Sequence, residues 1–181
     1  LFRIWVPQFL GAENLLDLAQ QISVNAILAY GMTLVILIGG IDLSVGAVVA
    51  LIGTVTVAVL ARAGLATGLL AGFGMAALFG AINGVCAART RMPPFIITLA
   101  TMLVARGVAL RFNEGRPLAV PDTERLFLAL GNARLFGFLP VPVLLMIGAF
   151  TVTAVLLHRT RFGQHLYAIG GNREAARFTG I

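Results

Sequence analysis

Charge is scarce in this 181-residue sequence, where Asp, Glu, Lys and Arg together make up only 11% of the residues. A soluble domain carries roughly a quarter, so an ordinary water-soluble surface is excluded. Lysine is missing altogether; the 13 basic residues are all Arg, which reads as a compositional bias and not as mechanism. The single cysteine, Cys86, rules out a disulfide framework and a cysteine metal site, and among alanines it reads as a small buried hydrophobe. Only two histidines are present, His158 and His165, and both lie outside the apolar runs. An enzyme working inside a membrane would need a nucleophile and base or a metal set there, so catalytic residues and metal ligands are both expected to be absent. The formal charge of +6 comes from arginines scattered between apolar segments, with no aromatic interleaving. That pattern fits the flanks of membrane helices better than a nucleic-acid surface, and no nucleic-acid partner is expected.

What the chain has in abundance is apolar length. Hydrophobic residues make up 59% of it and the mean hydropathy is +0.98, which predicts an all-α, polytopic transmembrane helical bundle in contact with lipid. Residues 1–6 read as the end of a helix that is mostly missing, closed by Pro7 and carrying Trp5 at interface depth. The first residue is Leu1 and the last, Ile181, follows a charged segment, so the chain is expected to be part of a longer protein. A polar connector follows over residues 8–21, with a short surface helix at 14–20. Five spans are then predicted: residues 22–38, 43–61, 66–88, a fourth from the Pro93, Pro94 pair to Phe112, and 139–157. In the third, Gly68, Gly72 and Gly80 mark the face expected to pack on a neighbouring helix. Residues 113–137, with Glu114, Arg116, Asp122, Glu124 and Arg125 between prolines, form an extramembrane loop. The organisation expected is thus a membrane portion over 1–158 and a polar segment over 159–181. Five spans alternate sides, so Arg89, Arg91 and the final segment share one face. The positive-inside bias makes that face cytoplasmic.

One run departs from a plain lipid-facing helix. Residues 31–46 read GMTLVILIGGIDLSVG, and Gly39, Gly40 and Asp42 interrupt the helix where it is apolar enough to lie in lipid. Broken backbone at such depth is tolerated only where protein buries it or where it lines a cavity. A carboxylate there costs at least about 2.5–3.5 kcal/mol on insertion scales, so Asp42 needs compensation. Two readings are compatible. Asp42 or Ser44 caps the next helix, and the break with Gly46 lines or gates a solute path, a device that transporters use at the bilayer midplane. Asn83 either hydrogen-bonds between helices or faces the path, and Arg106, about two-thirds along its span, either snorkels or lines the path. Thr98 and Thr101 are expected to bond within their own helix.

The end of the chain carries the second signal. Gly170 and Gly171 precede a short helix around Glu174, Ala175 and Ala176 that stops at Gly180. Too short to cross the membrane, it is either a simple interfacial helix or a docking element for another protein.

At these residues the sequence resembles the permease subunits of ATP-binding-cassette sugar importers of the ribose, xylose and galactoside type. The signatures are GMTLVI and GGIDLSVG over 31–46, the Asn83-Gly84 pair, PPFIITLA followed by Arg106-Gly107, and AIGGNREAARFTGI over 168–181. The family often has a small hydroxyl residue before Gly39, where this chain has Ile38. The resemblance implies a full subunit of about ten helices, a cytoplasmic ATPase that binds the ATP, and no cofactor on this chain. It further implies an extracytoplasmic sugar-binding protein, a second permease subunit (identical or not) and residence in the bacterial inner membrane. It places ATPase coupling at Gly163, Tyr167, Gly170, Asn172, Glu174, Ala175, Ala176 and Gly180. The expected function is passage of a monosaccharide or related polyol; the alternative is an ion-coupled secondary transporter, disfavoured because a single membrane carboxylate offers no proton relay.

Overall fold

A computed structural model describes residues 10–112 and 114–181; the expectations for residues 1–6, Trp5 and Pro7 fall outside them. Eight helices are described. They are α1 (Ala12–Leu37), α2 (Val45–Ala63), α3 (Leu65–Arg89), α4 (Pro94–Phe112), α5 (Arg125–Asn132), α6 (Val141–Arg159), α7 (Arg161–Gly171) and α8 (Arg173–Phe178). A two-residue antiparallel pair, β1 (Arg134–Leu135) and β2 (Leu139–Pro140), is the only sheet among the described residues. Helices α1, α2, α3, α4 and α6 are long and apolar enough to cross a membrane. The fold is all-α, with the long apolar helices of a multi-pass membrane protein.

Packing divides the chain into two compact units. One runs from Gly40 to Phe127; the other comprises the chain up to Gly39 and from Leu128 onward. The division falls between the two glycines of the break.

In the unit from Gly40 to Phe127, α3 runs antiparallel to α2, since Gly68 lies against Leu60 and Gly72 against Thr56. Glycine brings the two backbones together there. A Cβ on Gly68 would meet Leu60 Cα and the Thr56 carbonyl, each at 2.9 Å. Gly80, expected on the same face, is exposed with open space around it, because eight residues past Gly72 it has rotated about 80° off that face, while Phe79 and Asn83 keep this part of α3 on α2. The core combines Leu51, Val55, Phe79 and Ala105. Large apolar side chains such as Leu70, Phe73 and Leu103 point outward, as a lipid-facing surface requires.

In the other unit α1 and α6 run parallel. Gln20 near the start of α1 donates to the Gly131 carbonyl (3.0 Å), Asp17 pairs with Arg134 (2.5 Å), and further along Tyr30 meets Phe150 edge-on at 5.6 Å. The connector expected at 8–21, with its separate helix over 14–20, is instead continuous with the first span. No glycine or proline lies between Gln20 and Ile22 to stop the helix. The 26 residues of α1 cover about 39 Å, more than the hydrocarbon core of about 30 Å, so a polar first turn and a half extends beyond it. The loop expected over 113–137 likewise contains structure, namely α5 and the hairpin, whose tight turn uses Phe136 and Gly137, both at positive φ.

Candidate functional site

Leu37 ends α1, and Gly39, at φ +75°, turns the chain in a region that a side chain would strain. Five residues separate Gly39 from the start of α2 at Val45. The side chains between them answer the question of how Asp42 is compensated. Its Oδ1 accepts from the Ser44 backbone N–H at 2.7 Å and from the Ser44 hydroxyl at 2.6 Å. Neither residue caps α2 with its side chain. Asp42 closes a turn one residue outside the helix, and Ser44, though it stands at the cap position, turns its hydroxyl back to the carboxylate. That hydroxyl also accepts from Asn83 Nδ2 (3.0 Å), and Asn83 Oδ1 accepts from the Thr101 hydroxyl (2.6 Å). Nearby, Thr98 accepts from the Leu43 N–H at 3.1 Å and lies within donating reach of the Ile41 and Phe95 carbonyls.

A polar chain, Asp42–Ser44–Asn83–Thr101, therefore joins the irregular segment to α3 and α4. Ser44 is 1% exposed, and among the described residues no buried side-chain polar atom lacks a partner. Satisfaction of this kind is what permits non-helical backbone at membrane depth. Asn83 bridges helices. Thr98 and Thr101 do bond their own helix, as expected, but Thr98 also reaches across to the break and Thr101 to Asn83 of α3, which their residue type alone did not suggest. The available signal was their i, i+3 spacing, which puts both hydroxyls on one side of α4.

The helix ends fix where along the spans the network lies. Thr98 lies four residues into α4, about 6 Å, and Asn83 six residues before the end of α3, about 9 Å. The network thus sits in the third of the span nearest the α3–α4 turn, not at the middle.

Running from Leu43 toward the other end of the same helices, α2 and α4 line an open groove of about 520 Å³ whose walls include Gly46, Ala50, Thr54, Met102 and Arg106. Leu43, held by Thr98, lines it as well, so network and groove share a wall. Arg106 is exposed in the groove and makes no ion pair or side-chain hydrogen bond among the described residues. Cys86 lies elsewhere, half-buried on an apolar wall with Phe79 and Met92.

The segment after α6 is more helical than its composition suggested. Residues 161–171 form α7, started by Thr160, whose hydroxyl accepts from the Gly163 N–H at 3.3 Å. Its buried residues, Gly163 and Leu166, are one turn apart, an amphipathic pattern that the polar residues between them had masked. Asn172 caps α8 by accepting from Ala175 N–H at 2.9 Å. Gly180, at φ +85°, stops it: its N–H donates to the Arg177 carbonyl, and that of Ile181 to the Ala176 carbonyl. The eight residues predicted for coupling sort by position. Gly163 and Ala176 are buried, Gly170 lies against α1, and Asn172 and Gly180 shape α8; Tyr167, Glu174 and Ala175 face outward. Tyr167 stacks on His158 with centroids 6.4 Å apart.

The sequence is similar to those of known proteins. The chain is 44% identical over 177 residues to the ribose import permease protein RbsC of Bacillus subtilis (strain 168), covering 97% of this chain and 54% of that protein. It is 42% identical to RbsC of Escherichia coli (strain K12), and 37% identical to the L-arabinose transport system permease protein AraH of the same strain. The two alignments cover 97% and 98% of this chain, and 55% and 54% of those proteins. The chain thus spans about half the length of the curated relatives it matches. No solved structure matches. A family model described as "Branched-chain amino acid transport system / permease component" matches residues 14–181, and the chain belongs to that permease family.

Proposed function

We propose that this chain is the permease portion of an ATP-driven importer, and that it passes a monosaccharide of the pentose or hexose class, or a related polyol, across the bacterial inner membrane. The observation that carries the reading is Arg106, a cation within a membrane span that faces an open groove and has no ion pair or side-chain hydrogen bond among the described residues. Such a group must be met by water or by a passing solute. Its planar array of N–H donors suits the hydroxyl oxygens of a sugar, and Thr54 and the small residues Gly46 and Ala50 leave room beside it. The relatives named for ribose and arabinose support the sugar class.

Gly39, Gly40 and Asp42 form the gate end of this path, with Ser44 and Asn83 holding the gate to its neighbours. The outward-facing residues of α7 and α8, Tyr167, Glu174 and Ala175, dock a separate cytoplasmic ATPase. A sugar-binding protein delivers solute from the opposite side, and a second permease subunit completes the path. The bond chemistry, ATP hydrolysis, belongs to the partner.

Uptake of labelled ribose, arabinose and leucine into vesicles holding the full-length permease, its ATPase and its binding protein tests the reading. Arg106→Met is expected to lower sugar uptake by about tenfold or more, the scale of one lost charge-assisted hydrogen bond. ATP-dependent uptake of leucine alone would favour the amino-acid cargo in the family's description, whose carboxylate Arg106 would suit equally. Uptake that follows a proton or sodium gradient without ATP would overturn the motor-driven reading.

A further inference from the structure

Two glycines of α7, Gly163 and Gly170, lie seven residues apart and so on one side of the helix, two turns from each other. Each meets a backbone carbonyl at the C-terminal end of a spanning helix. A Cβ on Gly163 would overlap the Leu157 carbonyl, in the last turn of α6; one on Gly170 would overlap the Leu37 carbonyl, the last residue of α1. In both cases the α-hydrogen standing in the Cβ direction points at a carbonyl that its own helix leaves without an N–H partner. Between the two glycines Leu166 is 8% exposed. Helix α7 therefore lies across the ends of two parallel spans, seated by its backbone at both.

We propose that α7 is a two-point yoke: Gly163 seats it on α6 and Gly170 seats it on α1, so that a displacement of α7 and α8 is delivered to the end of α1 directly, two residues before Gly39. The inference rests on the coupling role given above to this segment, but it assigns the two glycines a different part. They are positioning residues that touch the spans and not the motor. Covalent connection alone would carry a displacement of α7 only to α6, from which it continues after Thr160. The contact at Gly170 adds the helix that leads into the break. Its replacement by any other residue forces the seat open, because the obstacle is backbone and not the end of a flexible side chain.

The test uses the assembled transporter with Gly170→Ala and, as its neighbour control, Gly171→Ala, where a Cβ meets nothing within 4 Å. For Gly170→Ala, membrane insertion, co-purification with the ATPase and basal ATP hydrolysis are expected to stay at the wild-type level. Binding-protein-stimulated hydrolysis and uptake are expected to fall about tenfold or more, the effect an overpacked contact has on a two-state equilibrium. Gly171→Ala should transport like wild type. Wild-type uptake by Gly170→Ala would overturn the yoke. If Gly170→Ala fails to insert, spin labels at exposed Ile36 and Gly171 in an otherwise native background decide. Their separation is expected to be the same with and without bound ATP, and a separation that opens during the cycle would overturn the yoke while leaving motor docking on α7 and α8 intact. Failure of the coupling reading itself looks different: no ATPase would co-purify with the wild-type permease.

Discussion

The polar chain at the break and the seat of α7 are both places where the end of a span is fixed to its neighbours, yet they are held in opposite ways. At the break, irregular chain is stitched to α3 and α4 by side chains. Asp42, Ser44, Asn83 and Thr101 each supply a donor or acceptor that the next one uses. At the seat of α7 nothing is supplied. Gly163 and Gly170 work by lacking a side chain, and carbonyls of α6 and α1 fill the space. The first arrangement fails when a group is removed, and neighbouring groups make up part of the loss. The second fails when a single methyl is added, and the backbone opposite has no rotamer to change. The α2–α3 contact belongs with the second kind at Gly68, and only partly at Gly72, where the atom in the way is the Thr56 hydroxyl.

That contrast orders a set of substitutions, each read as a change in the unfolding free energy of the full-length permease in mixed detergent micelles. The largest loss is expected from Gly163→Val, about 3 kcal/mol or more, since a branched side chain would be driven into the Leu157 carbonyl. Gly68→Ala should cost about 2 kcal/mol against the backbone of α2, and Gly72→Ala clearly less, because Thr56 can turn its hydroxyl away. Equal costs at 68 and 72 would show that the kind of obstructing atom does not matter. Asp42→Ala removes the acceptor of two hydrogen bonds and should cost about 1–2 kcal/mol, with Asp42→Asn close to neutral because an amide oxygen accepts from Ser44 as well. Asn83→Leu is expected near 1 kcal/mol, within the range of interhelical polar contacts in membranes, since Ser44 keeps Asp42 and Thr101 keeps the Ile97 carbonyl. A cost above that of Gly68→Ala would break the comparison by making the polar chain the stiffer joint. The smallest effect, and the only one of opposite sign, is a gain of some tenths of a kcal/mol from Gly80→Ala, a helical glycine facing open space.

The site was legible in unequal parts. Gly39, Gly40 and Asp42 announced the break because a carboxylate beside paired glycines contradicts the apolar run around it. Asn83 and Arg106 stood out as polar groups within spans. Thr98 and Thr101 did not, since a threonine in a membrane helix is ordinarily satisfied by the carbonyl a turn earlier and only the folded chain reveals a second partner. The continuity of α1 was hidden because the polar residues at 8–21 suggested a connector with a separate surface helix, whereas helix propagation needs only the absence of a breaker. Helix α7 was hidden because its buried face is built partly of glycine, which no hydrophobicity pattern registers.

By itself the sequence determined the solvent. So few charges and so many apolar residues require lipid, and the spacing of glycines, prolines and arginines sets five crossings to within a few residues, because a helix must satisfy its own backbone there. Only the tertiary structure decided which polar groups meet one another, how far into the span the break lies, and which carbonyls Gly163 and Gly170 admit. Those depend on the distances between segments far apart in the chain, and a glycine carries no mark of what will come to rest against it.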